Sequence, residues 1–172
     1  MIKFITKSLG TVYVYDFCEL NEKDRLGILS LRNHPEVKMW MYDFSDISIE
    51  DHVSFIKSLE NDSSRKYFLV KQSARVIGVF YLTKLNAVDK SLELGLYVNF
   101  FHKKKKSGSA IIEAAISYVV STLKYKKLML DVFEENTVAV NFYRRFGFKI
   151  LSKSHVNDRL VNKMTLLMED LL

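Results

Sequence analysis

Cysteine is almost absent from this chain. Cys18 is the only one in 172 residues, which excludes an internal disulfide framework and fits a reducing cytosol. Lying in a strand-like stretch, Cys18 reads as a small core residue. Long apolar runs are missing too: MIKFITKSLG is too short for a signal peptide, and AIIEAAISYVV is interrupted by Glu113. These absences predict a cytoplasmic protein with no membrane partner. Histidine is scarce, and His52, His102 and His155 lack metal-ligand spacing, so no metal is expected. No Ser–His–Asp or Cys–His arrangement is suggested. Neither GxxxxGK followed by Ser or Thr nor GxGxxG occurs, which excludes a Walker loop and a dinucleotide-binding turn. With no repeat, linker or low-complexity segment, residues 1–172 are expected to form a single domain.

What is present is basic and patterned. The net charge of +6 points to an anionic partner, and HKKKK at 102–106 concentrates that charge in a chain whose other charges are mixed. TVYVYDF at 11–17 alternates as a strand. Asn21 caps a helix, NEKDRLGILSLRN, that must stop near the only proline, Pro35. Residues 36–48 read as irregular and unusually aromatic, and 49–60 as a second helix. KYFLVKQ, RVIGVFYLTKL and SLELGLYVN follow as an antiparallel meander. After the basic run come a helix, SGSAIIEAAISYVVSTL, a strand, KKLMLDVF, a helix within residues 135–148, and the strands FKILSKSHV and VNKMTLLMED. The expected class is α+β, with a mixed seven-stranded central sheet flanked by about four helices.

Three places carry candidate chemistry. In ENTVAVNFYRRFGF, Ala139, Phe142, Tyr143 and Phe146 fall at i, i+3, i+4 and i+7, with Asn136 placed to cap the helix and Gly147 to end it. Tyr143 therefore points inward, as a core tyrosine or as something more. The run KKKKSGSA joins a strand to a helix. Lysines there oppose the helix dipole unless an anion sits among them, and the N–H groups of Ser107, Gly108 and Ser109 suit a phosphate, with Gly108 letting it approach the main chain. The same run would serve as a solvated loop or a nonspecific nucleic-acid patch. In SLELGLYVN, Leu92, Leu94, Leu96 and Val98 share one face and Glu93, Gly95 and Tyr97 the other. Gly95 suggests a bulge or a ligand close to the backbone. Glu93 is either a general base for an amine or a half-exposed carboxylate.

Strand, basic turn and helix, followed by strand and E-N-x-x-A-x-x-F-Y-x-x-x-G-F, resembles the acetyl-CoA-binding core of the GCN5-related N-acetyltransferases over about residues 75–150. The family's turn, Q/R-x-x-G-x-G/A, matches Lys105, Lys106, Ser107, Gly108, Ser109 and Ala110, with lysine at the first position, so a positive donor remains without an arginine's bidentate reach. The resemblance implies the fold of that family and acetyl-CoA as acetyl donor. It implies that the main chain of Leu96, Tyr97 and Val98 holds the pantetheine arm, and that Lys103, Lys104, Lys105, Lys106, Ser107, Gly108, Ser109 and Ala110 hold the pyrophosphate. Asn136 would contact the cofactor arm and Tyr143 would sit beside its sulfur.

RNHPEVKMWM at 32–41, DHVSFIKSL and RKYFLV extend the likeness to the branch of the family that serves bacterial pseudaminic acid biosynthesis and flagellin glycosylation. That branch implies direct transfer, in a ternary complex, to the 4-amino group of a UDP-linked 4-amino-4,6-dideoxy sugar. Arg32, His34, Trp40, Met41 and Tyr42 offer the cation and aromatic surface for a nucleotide sugar. Each also has a plain alternative: Trp40 and Met41 as core cover, Arg32 as a cap on its own helix, His34 as a loop hydrogen-bonder. Acetylation of a protein N-terminus or ribosomal protein, or of a polyamine, stays open, as does a non-catalytic nucleic-acid-binding module; of these the reading favours no nucleic acid. A homodimer is an allowed assembly.

Overall fold

In the computed structural model, which describes residues 1–101 and 105–171, the chain runs β1 (Ile2–Thr6), β2 (Gly10–Asp16), α1 (Glu22–Arg32), α2 (Pro35–Lys38), α3 (Ile49–Leu59), β3 (Lys66–Gln72), β4 (Arg75–Asn86), β5 (Ser91–Val98), α4 (Ser107–Tyr118), β6 (Lys127–Phe133), α5 (Thr137–Arg145), β7 (Lys149–Val156) and β8 (Arg159–Leu167). Two starts follow the expected caps: the Asn21 side chain accepts from Asp24 N at 2.9 Å and Asn136 from Ala139 N at 3.1 Å. Ser48, accepting from Asp51 N at 3.0 Å, adds a cap at the start of α3. Gly147, at φ +89°, ends the α5 segment in a conformation that costs glycine little.

The sheet has eight strands rather than the expected seven. The additional one, β1, is a short edge strand whose residues are mostly exposed, so no alternation marks it; it is held by its ladder to β2, from Ile2↔Val14 to Thr6↔Gly10. The segment expected to be irregular contains one helical turn, α2, because Pro35 sits at its first position and the His34 ring accepts from Glu36 N. The α4 segment leaves regular helix at Tyr118 and closes in a π-helical turn, Val119–Leu123, before a left-handed Lys124.

The strand order is β1-β2-β3-β4-β5-β6-β8-β7. Every neighbouring pair is antiparallel except β5 and β6, which run parallel. Period-two alternation gives the sheet two apolar faces. Phe68, Phe80, Leu92, Leu94, Leu128 and Leu130 pack with α4 and α5 on one side. Leu69, Val79 and Tyr97 pack with Ile28 and Leu31 of α1, Val37 of α2 and Ile56 and Leu59 of α3 on the other.

The parallel pair stays joined only at Ser91↔Lys127, Leu92↔Leu128 and Glu93↔Met129. Beyond that point β5 keeps its ladder to β4 as far as Val98↔Gly78, and β6 keeps its ladder to β8 as far as Phe133↔Val161. The two strands therefore part. They leave a wedge in the sheet, lined on one side by the edge of residues 94–98 that faces away from β4.

Candidate active site

On the α4/α5 face the wedge meets a helix start built without a cap. Lys106, at φ +71°, stands at the N-cap of α4 and supplies no side-chain hydrogen bond. The first intrahelical bond is Ala110 N to Lys106 O at 3.0 Å, so the N–H groups of Ser107, Gly108 and Ser109 have no helical acceptor. Ser107 is 3% exposed and its Oγ has no partner among the described residues. Buried hydroxyls are ordinarily satisfied, so an orphan beside free N–H groups marks the place of an acceptor such as a phosphate oxygen. Lys105 and Lys106 are exposed around it, while Lys103 and Lys104 lie outside the described residues. A Cβ on Gly108 would stand 3.5 Å from the Phe142 ring and 3.6 Å from Val98. That is ordinary contact, and it places β5, α4 and α5 together at one point. The glycine thus faces neighbouring apolar groups and leaves room for an alanine.

Tyr143 lies on the same face, 7% exposed. Its ring is gripped by Phe142 at 5.3 Å and Phe148 at 5.6 Å, both near edge-on. Phe146, which the helical stripe puts beside it, packs instead on Phe142 at 5.1 Å. Among the described residues no hydrogen-bond partner meets the Tyr143 hydroxyl. Burial first, and then the Tyr81 phenol, push its pKa well above the usual tyrosine value. Asn136 has its side-chain oxygen committed to capping α5, and its NH2 group takes no part in that cap. Leu96 and Val98 are half-buried against the α4/α5 core, and Tyr97 is buried on the opposite face.

That opposite face holds the other predicted residues, in mixed roles. The Arg32 Nη2 donates to Asp43 O at 2.8 Å and so braces the following loop rather than its own helix end, while Nη1 is buried with no partner among the described residues. The His34 ring caps α2, stacks on Phe100 at 5.6 Å and meets Phe101 edge-on at 4.9 Å. It ties the aromatic segment to the strand leading into the basic run. Met41 covers the second core. Trp40 is half-buried beneath the Arg159 guanidinium, 5.5 Å away. Tyr42 is 46% exposed and donates to Asp131 Oδ2 at 2.7 Å, with its ring edge-on to Phe133. Glu93, at the last paired position before the wedge, is bonded to Lys84 Nζ at 2.8 Å.

Gly95 makes no bulge. It pairs in register with Tyr81, and a Cβ there would fall 2.0 Å from Tyr81 Cζ, so the missing side chain is the space in which that phenol lies. Tyr81 stacks on Tyr67 at 5.0 Å, and burial pushes its pKa up to about 12. Asp131, Tyr81, Lys163 and Arg159 escaped the sequence reading. Asp131 and Lys163 stand opposite one another across the β6–β8 ladder with 3.7 Å between charges. The signal that would find Asp131 is a charge within KLMLDVF on the face away from Leu128, Leu130 and Val132; it becomes informative only once β6 is known to lie beside β5.

The arrangement places anion-binding groups and a buried phenol on one side of the wedge. Carboxylates, aromatic rings and a loop braced by arginine stand on the other. Residues 19–162 match the acetyltransferase (GNAT) domain family. The Campylobacter jejuni acetyltransferase PseH is 36% identical over 135 residues, 78% of this chain and 83% of that protein. A crystal structure of C. jejuni N-acetyltransferase PseH in complex with acetyl coenzyme A gives a TM-score of 0.73 at 28% identity, covering 91% of this chain and 98% of that one. A spermidine N-acetyltransferase from Vibrio cholerae, crystallised with CoA and spermine, gives 0.83 at 21% identity over 92% and 96% of the respective chains, a likeness of fold.

Proposed function

Because this chain belongs to the GNAT acetyltransferase family and is an acetyl-CoA-dependent N-acetyltransferase, we propose that it acetylates the 4-amino group of a UDP-linked 4-amino-4,6-dideoxy sugar in the pseudaminic acid pathway. The observation that carries this reading is the wedge between β5 and β6, with Tyr143 on one face and the braced aromatic segment on the other. Both substrates then meet at the wedge in a ternary complex.

Acetyl-CoA supplies the acetyl group as a thioester. The main-chain edge of Leu96, Tyr97 and Val98 that faces away from β4 lines its arm, and the free N–H groups and orphan Ser107 hydroxyl at the start of α4 receive its pyrophosphate, with the lysine run supplying positive charge. The acceptor nitrogen bonds to the thioester carbonyl carbon as the carbon–sulfur bond breaks. Glu93 takes the amine's proton, directly or through water, and Tyr143 protonates the leaving sulfur. A phenol raised by burial is fully protonated at neutral pH, whereas a carboxylic acid would already be ionised there. The same dry surroundings make the thiolate more basic, so the transfer is not opposed.

The acceptor face favours a sugar nucleotide over a polyamine. Its carboxylates Glu93 and Asp131 are already matched by Lys84, Lys163 and the Tyr42 hydroxyl, Glu135 is matched by Arg159, and Arg32 adds positive charge that a polycation would have to approach. Trp40, Tyr42 and the Arg32 Nη1, unpartnered among the described residues, suit a base and a phosphate instead. Incubation with acetyl-CoA and a panel of UDP-4-amino-4,6-dideoxy sugar, spermidine and a ribosomal peptide, read by product mass, tests the acceptor class. Initial-rate plots that intersect support the ternary complex; parallel plots would mean an acyl-enzyme. Tight nucleic-acid binding that weakens steeply with salt, with no acetylated product, would instead mark a basic binding module.

A further inference from the structure

The β7–β8 hairpin turns on two left-handed residues, Asn157 at φ +49° and Asp158 at φ +59°, a two-residue turn that fixes the direction in which its first strand residue leaves. That residue is Arg159, and its guanidinium is shared among four partners. Nε donates to Glu135 Oε1 at 2.7 Å and Nη1 to Met39 O at 3.1 Å. Its flat face lies 3.6 Å from the Phe133 ring centroid and 5.5 Å from that of Trp40. Asn157 adds a bond from Nδ2 to Tyr42 O at 2.8 Å. Two hairpin residues thus hold two carbonyls of the 39–42 segment, which has only the single turn of α2 behind it.

The other end of the clamp is equally placed. Glu135 precedes Asn136, the cap of the helix that bears Tyr143. One guanidinium therefore fastens the acceptor-side segment to the corner from which the general-acid helix starts. Lysine cannot reproduce this, having neither the planar fork nor the face that stacks on both rings. An exposed ion pair alone would contribute little to stability, so four directed contacts argue for placement.

We propose that Arg159 is a positioning residue that locks the 39–42 segment over the wedge and so sets acceptor binding in register with Tyr143. This rests on reading that face as the acceptor side. Trp40 is the only tryptophan of the chain, and its fluorescence reports the clamp with no acceptor present.

In Arg159→Met and Arg159→Lys, acrylamide quenching of Trp40 should rise in both. The acceptor KM should rise about ten-fold, the order expected for one lost charge-assisted hydrogen bond, with the acetyl-CoA KM changing less than about two-fold. Asn157→Gly keeps the turn and removes only the Tyr42 bond, so it should shift both readouts the same way by less. Unchanged quenching in the arginine variants overturns the proposal. So does raised quenching with an unchanged acceptor KM, or a fall in melting temperature with both KM values rising together. Should the sugar nucleotide prove not to be the acceptor, the quenching result still decides the clamp, and the KM split is read with whichever amine the native protein acetylates.

Discussion

At the scale of single residues, the proposed chemistry depends on a buried phenol on one face of the wedge and a carboxylate on the other. Tyr143→Phe keeps the packing against Phe142 and Phe148 and removes one oxygen, so kcat should fall ~10²–10⁴-fold while the melting temperature and acetyl-CoA affinity stay almost unchanged. Retention of most activity when chemistry limits turnover would return Tyr143 to the core. Glu93→Gln should lower kcat/KM by ~10²-fold with the acetyl-CoA KM almost unchanged; a variant that keeps its kcat/KM would leave removal of the amine's proton to water alone. The phenol was legible because helical periodicity depends only on local spacing. The ring that shares its grip with Phe142 was not, since Phe148 reaches Tyr143 through the turn at Gly147 rather than through the helix. Asp131, Lys163 and Arg159 stayed hidden for a related reason: each gains its meaning from a strand or loop distant in sequence.

Elements show the same division between local and distant causes. Caps at Asn21, Ser48 and Asn136 are local, and the helices beginning there are where the sequence puts them. β1 is not local, for its ladder to β2 and its seat against α4 make a strand of five mostly exposed residues. The start of α4 was recognisable from lysines set against a helix dipole, but the burial of Ser107 was not. Ser107→Ala should therefore act in two directions. It removes an unsatisfied buried hydroxyl, which should stabilise the unliganded protein by about 1 kcal/mol, and it should weaken acetyl-CoA binding. A variant that melts lower and binds normally would show that Ser107 serves packing alone.

For the whole molecule, buried tyrosines set the alkaline edge of stability. Burial raises the pKa of Tyr67, Tyr81, Tyr97, Tyr118 and Tyr143. The folded state thus holds protons that the unfolded chain releases near pH 10, so stability is full below that pH and is lost as pH climbs toward the raised values. His52 works at the other edge. Burial lowers its pKa, so its contribution is present above about pH 6.5 and declines as pH falls through the folded value. Chemical denaturation across pH should give a plateau that falls on both sides, and Tyr97→Phe should soften the alkaline fall; a profile flat to pH 11 would contradict the burial of these phenols. At this scale the mixed sheet was legible as a class. The wedge was not, because it arises from where two strands stop pairing and from nothing within either strand. That wedge makes the acceptor question one of chemistry on the far face, and the most direct test is competition: acetyl-CoA with equal UDP-4-amino-4,6-dideoxy sugar and spermidine in one reaction, with products counted by mass. The account predicts that the acetylated sugar nucleotide dominates by at least about 10²-fold in kcat/KM, the discrimination expected when buried polar groups are left unpaired by the wrong substrate. Predominant acetylspermidine would contradict it.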